Sequence, residues 1–98
     1  MARIRWTPQS VDDLEAIAEY IAVDSPAYAA LFVLDIVSAI DRLQSFPGMG
    51  RVVPETNDEL IREIIFGNYR IVYRLKSDLI EILTIYHGSR LLDPSALN

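Results

Sequence analysis

The chain predicts an α+β fold in the order β-α-α-β-β-β, with a helical hairpin packed on one face of a four-stranded, mostly antiparallel sheet. Three observations carry that prediction. Two cap-then-proline signals, Thr7-Pro8 and Asp24-Ser25-Pro26, each open an apolar run with helical spacing. From Leu60 onward the apolar period changes to two. Turn pairs at Gly67-Asn68 and Ser77-Asp78 then divide the second half into stretches rich in Ile, Val and Tyr.

Each element follows from local chemistry. Arg3-Ile4-Arg5-Trp6 alternates polar and apolar residues, the pattern of a half-buried strand. Thr7 can cap the first helix, and Pro8 at its first position loses no hydrogen bond. Asp12, Asp13 and Glu15 suit the positive end of the helix dipole. Val11, Leu14, Ala18 and Ile21, with Ile17 alongside, form an apolar stripe.

The second helix offers Ala29, Phe32, Val33, Ile36, Val37, Ile40 and Leu43 to the core. Leu31 and Leu34 widen its apolar face; packing against the first helix is the expected reason, and a dimer contact is the alternative. Phe46-Pro47-Gly48 ends the helix, and Met49 to Glu59 reads as a surface loop without periodicity. Leu60 to Phe66, Asn68 to Leu75 and Leu79 to Tyr86 form an antiparallel meander. The first strand pairs with one of these three, and the pattern leaves open which. The tail after Gly88 reads as a short helix or a loose end.

A length of 98 residues predicts one domain over 1–98, because so short a chain cannot fill two cores. Half the residues are hydrophobic (51%) and 23% are charged, which excludes intrinsic disorder. Met1 to Trp6 lacks the apolar run of a secretory signal, and Tyr28 to Leu34 is too short to cross a bilayer. The expectation is a cytoplasmic protein with no membrane contact. Absence of cysteine excludes disulfides and thiol nucleophiles, and the single histidine, His87, cannot make a histidine-rich metal site. No metal or cofactor is expected.

The net charge of −5 argues against non-specific nucleic-acid binding. Its distribution says more. Residues 1–60 hold ten acidic and four basic residues, whereas 61–98 hold four acidic and five basic. Chemistry on an anion therefore falls to the second half.

If Ser77-Asp78 is a two-residue turn, Arg74 faces Glu81, Val72 faces Leu83, Arg70 faces Ile85 and Asn68 faces His87. Tyr69, Ile71, Tyr73, Ile80, Ile82 and Thr84 then point to the helices. The opposite face carries an apolar floor of Val72, Leu83 and Ile85 with Arg70, Arg74 and His87 around it. Two short helices cover only one face, so this one is expected to be open and to bind something. The plainer reading is that Arg70 and Arg74 are solvated residues paired with Glu63 and Glu81.

Four stretches in order resemble the RelE/ParE superfamily of type II toxin–antitoxin toxins over nearly the whole chain. Thr7-Pro8-Gln9-Ser10-Val11-Asp12-Asp13-Leu14 resembles the start of the family's first helix, and Phe46-Pro47-Gly48-Met49-Gly50-Arg51 the link after its second. Gly67-Asn68-Tyr69-Arg70-Ile71-Val72-Tyr73-Arg74 resembles its central strand, and Tyr86-His87-Gly88-Ser89-Arg90 the end of its last.

The resemblance implies a growth-inhibiting protein silenced by a cognate antitoxin, whose C-terminal segment wraps the toxin and orders on binding. Val72, Leu83 and Ile85 are the expected antitoxin contacts, and a heterotetramer or larger complex is compatible with them. Two mechanisms divide the superfamily. A RelE-like ribosome-dependent mRNA endonuclease would use Arg70 on the phosphate, His87 as acid or base, and Glu55 as a base, with Arg62, Arg74 and Arg90 as further phosphate or target contacts.

A ParE-like toxin poisons DNA gyrase and needs no catalytic set. The acidic chain, its single lysine (Lys76) in a turn, and the His-Gly-Ser-Arg ending favour the ParE branch. A non-toxic binding module of the same fold is the third reading.

Overall fold

The computed structural model describes residues 2–89. Arg90 and the tail beyond it lie outside the described residues. The elements are β1 (Arg3–Trp6), α1 (Pro8–Asp24), α2 (Pro26–Asp41), a 3-10 turn (Arg42–Gln44), β2 (Arg51–Val52), β3 (Ile61–Phe66), β4 (Tyr69–Lys76) and β5 (Leu79–His87). Both helices start where the sequence marks them. Thr7 Oγ accepts from the Ser10 amide at 3.2 Å, Ser25 Oγ accepts from the Tyr28 amide at 3.1 Å, and a proline follows each cap.

The sheet runs β1-β5-β4-β3-β2, with β1 parallel to β5 and every other pair antiparallel. It therefore has five strands among the described residues, not the four expected. The fifth, β2, is two residues from the predicted loop, paired with Arg62 and Glu63 of β3. A segment this short has no readable periodicity.

The hairpin packs on one sheet face around a core of Phe32, Ile36, Ile40, Leu43, Ile71, Tyr73, Ile80, Ile82 and Ile85. Leu14, Ile17 and Ile21 of α1 pack against it. Leu31 and Leu34 take no part in the interhelix contact expected of them. They stand 57% and 64% exposed, because the buried α2 positions 29, 32, 36 and 40 lie on the opposite side of the helix.

The β4–β5 register follows the expected pairing only at its turn end. Lys76 faces Leu79 and Arg74 faces Glu81, but Tyr73 faces Ile82 while Val72 faces Thr84. Leu83 is the extra residue of a β-bulge, and past it every side chain changes partner and face. Ile85 thus enters the helix-side core, opposite Ile71, and His87 faces Tyr69.

The bulge falls where β1 runs out at Trp6, opposite Ile82. There the start of α1 takes over the open edge. Thr7 Oγ donates to the carbonyls of Ile82 (2.7 Å) and Leu83 (3.2 Å). The Asp13 carboxylate then accepts from Thr84 Oγ and from the Ile85 amide at 3.1 Å.

The second face is not open either. Val53, Ile61, Val72, Leu83 and Tyr86 form a second buried cluster, with Val72 fully buried. The connection after β2 doubles back over the sheet, and the Val53 amide donates to the Ile61 carbonyl at 3.1 Å. Val72, Leu83 and Ile85 are thus buried, not the exposed apolar floor expected. The bulge turns Ile85 inward, and Val53 of the connection covers the other two.

Asp13 supplies partners that β1 cannot. Asp13→Ala is expected to lower stability by about 1–3 kcal/mol, since two buried-edge donors lose their acceptor. Urea denaturation checks this; a loss below about 0.5 kcal/mol, the range of an ordinary surface change, would mean that the edge is held otherwise.

Candidate functional site

Arg70 is the centre of a linked polar group with Glu55, Glu63 and Arg51. It rises from β4 on the face away from the helices, beside Glu63 of β3, and only 6% of it is exposed. Its Nε donates to Glu63 Oε1 at 2.5 Å, while Nη1 and Nη2 donate to the two oxygens of Glu55 at 2.8 Å each. The guanidinium also lies 5.1 Å from the centre of the Tyr86 ring. Glu63 is fully buried and takes a second cation, Arg51 Nε, on Oε2 at 2.6 Å.

Charge balance explains why such a group tolerates burial. Two arginines meet two carboxylates, and each buried charge has a hydrogen-bonded partner of opposite sign. The Glu55 contact is the main cause holding the Arg70 guanidinium charged beyond its ordinary range; burial opposes it, and Glu63 adds to it. Glu55 comes from the connection between β2 and β3, so this pair also fastens that connection to the sheet.

The sequence-predicted residues divide clearly. Glu55 and Arg70 are brought together as a bidentate ion pair. His87, at the end of β5, lines one shallow pocket with Arg70, Arg51, Gly67, Asn68 and Ser89, a cavity of 390 Å³. The histidine itself is exposed, its ring edge-on to Tyr69 at 5.5 Å. The Ser89 amide donates to Nδ1 at 3.2 Å, and Ser89 Oγ lies 2.7 Å from the same nitrogen.

Arg62 and Arg74 stand elsewhere. Arg62 lies on the other sheet face, opposite Tyr73 in register. Its guanidinium donates to the carbonyls of Glu59 (3.0 Å), Gly50 (3.1 Å) and Gly48 (3.4 Å), which closes the loop around β2. Tyr73 holds the same loop from below. Its hydroxyl donates to the Pro47 carbonyl at 2.8 Å and accepts from the Gly50 amide at 2.9 Å. Burial pushes that phenol's pKa up.

Arg74 lies 3.7 Å from Glu81, which Lys76 (3.1 Å) and Arg5 (3.3 Å) also approach. These cations, Lys76 first, hold the Glu81 carboxyl below its ordinary pKa. The expected partners Glu63 and Glu81 are therefore the right ones. Arg70, however, is buried where a solvated residue was expected.

Arg51 and Ser89 were not singled out from sequence as site residues. The only signal was their membership of the two quoted stretches; nothing in the spacing placed them at one pocket. Chemically, the arrangement has a cationic mouth but no free acid–base set. All three donor nitrogens of Arg70 that face the cluster are in use, and both Glu55 oxygens are held by them. Glu55 occupies the fork of Arg70 that would otherwise take a phosphate bidentately.

Comparison with known proteins now bears on this geometry. A family model described as the ParE toxin of type II toxin–antitoxin system, parDE, matches residues 4–92. The chain is similar to Toxin RelE2 of Caulobacter vibrioides, 35% identical over 91 residues, covering 93% of this chain and 100% of that protein. Its fold is similar to a chain of the chromosomal ParDE TA system from P. aeruginosa, with a TM-score of 0.74 and 28% identity. That likeness covers 89% of this chain and 96% of the other.

Removing Arg70 strands a fully buried carboxylate, Glu63. Arg70→Ala is expected to lower stability by about 3–5 kcal/mol, and Glu55→Gln by about 1 kcal/mol, because Glu55 is nearer solvent and Glu63 keeps its pair. Chemical denaturation of both variants checks the order. An Arg70→Ala protein as stable as the wild type would show that the cluster is not structural.

Proposed function

The chain belongs to the ParE family, the toxins of type II toxin–antitoxin systems, and on that premise we propose that it arrests growth by binding and poisoning DNA gyrase. A cognate antitoxin neutralises it. The observation that carries the choice of target is the state of Arg70. Cleavage of RNA by its own 2′-hydroxyl needs a cation free to meet the phosphorane and a base free to take the proton. Here the cation and the candidate base, Glu55, bind each other through two hydrogen bonds of 2.8 Å. Of the three candidates His87 is the accessible one, in contact with Ser89 through Nδ1.

One histidine beside a neutralised ion cluster is a weak nuclease. A toxin that acts by occupying its target needs surface, not chemistry. No helix among the described residues is long and apolar enough to cross a membrane, which gives no support to a membrane target. Since Val72, Leu83 and Ile85 are buried, no antitoxin contact is proposed through them.

The alternative, a ribosome-dependent mRNA endonuclease, draws support from the pocket shared by Arg70 and His87 and from the likeness to a toxin named RelE2. Purified toxin is expected to inhibit gyrase supercoiling or to trap its DNA cleavage, and His87→Ala is expected to keep growth arrest intact. Ribosome-dependent mRNA cuts that vanish with His87→Ala, with gyrase unaffected, would reverse the choice.

A further inference from the structure

The hairpin has a second apolar face that the described residues leave exposed. Along α1, Ala16, Tyr20 and Val23 recur at steps of four and three, and along α2 so do Ala27, Leu31 and Leu34. At 100° per residue the α2 positions lie opposite the sheet-facing Phe32, Ile36 and Ile40, and the α1 positions are centred roughly 125° round the helix from Leu14, Ile17 and Ile21. Their exposure is high: Tyr20 77%, Val23 83%, Leu31 57% and Leu34 64%. Core formation in this chain gives no reason for apolar side chains at these places. A clustered apolar surface on so small a protein marks a binding face.

The surrounding charge says what kind of partner fits. Between Pro8 and Asp41 there are seven carboxylates and no lysine, arginine or histidine. Glu15, Glu19, Asp24 and Asp35 are all exposed, and they flank the two stripes. A second copy of the hairpin would set carboxylates against carboxylates around the apolar contact, which opposes self-association. A partner with lysines and arginines around an apolar ridge would complement both features.

We propose that the outer face of the α1–α2 hairpin is the surface by which this toxin docks on its target, seated on a cationic, apolar-ridged face of the DNA-handling enzyme. The inference rests on the gyrase reading given above. An enzyme that holds DNA must present lysine and arginine to the phosphates. The hairpin offers the same sign of charge as DNA, with an apolar stripe that DNA lacks. Charge steers the approach and the stripe supplies the affinity. This assigns the acidic half of the chain to the target and leaves the Arg70 cluster as architecture.

The test uses full-length toxin and two exposed pairs of substitutions, Leu31→Ser with Leu34→Ser, and Glu19→Lys with Asp24→Lys. Neither pair touches the core, so melting temperatures are expected to stay near the wild type. Each pair is expected to raise the toxin concentration for half-inhibition of gyrase supercoiling by at least about tenfold, as loss of central interface anchors does. Capture by the cognate antitoxin should persist. Wild-type inhibition should also weaken with added salt.

Variants that inhibit gyrase as well as the wild type would overturn the docking face alone and leave the gyrase reading standing. Variants that lose the antitoxin but still inhibit gyrase would overturn it in favour of an antitoxin site. A wild-type dimer that the leucine pair dissolves would overturn it in favour of a second copy. Wild-type toxin without effect on gyrase would overturn both the docking proposal and the reading beneath it.

Discussion

Most of this architecture depends on three linked carboxylate–guanidinium contacts centred on a buried pair. Glu63 is fully buried on β3 and is bound by Arg70 from β4 and Arg51 from β2. Arg70 in turn clamps Glu55, which lies in the connection after β2. Three strands and one loop are therefore tied at a single point. A buried ion pair adds little net stability over well-packed apolar residues, but breaking one is costly because a lone charge remains. The cluster thus fixes where the loop lies more than it strengthens the fold. Once the loop is fixed, Val53 covers Val72 and Leu83, and a face that would otherwise be wet becomes a second core.

The same constraint decides which chemistry the surface retains. Arginine's planar fork binds a carboxylate and a phosphate in the same bidentate manner. In this chain Glu55 already occupies that fork. The pocket near His87 keeps its cationic rim from Arg51, but its central arginine is spoken for. The shape of a phosphate site survives with its central arginine held by carboxylates. On the function proposed above, the toxin acts through surface recognition, and the exposed apolar stripes on α1 and α2 are the surface that packing leaves over.

Much of the fold could be read before any coordinates. Thr7, Pro8, Ser25 and Pro26 act within one helical turn, so the helix starts were local facts. Alternation from Leu60 and the two turn pairs marked β3, β4 and β5 for the same reason. What failed depends on distant partners. The bulge at Leu83 is set by where β1 stops and where Thr7 and Asp13 reach across from α1, more than seventy residues away in the chain. One inserted residue moved Ile85 and His87 to the other face. At the site, Arg74–Glu81 was legible from strand register, which survives up to the bulge, and Glu63 was legible as a partner for Arg70 only as a nearby opposite charge. Glu55 was legible only as a residue that a loop could bring near. That it arrives as a partner which silences Arg70 follows from a loop path no periodicity encodes.

The central claim is that Arg70 is held as structure and is not available to a phosphate. Its Nε–H resonance in an isotope-labelled protein reports this directly. A guanidinium locked between Glu63 and Glu55 should show an Nε–H proton protected from solvent exchange, with a shift that stays fixed when inorganic phosphate or a short oligoribonucleotide is added. A rapidly exchanging proton, or a shift that moves in step with added phosphate, would contradict the account and return Arg70 to the list of groups that do chemistry.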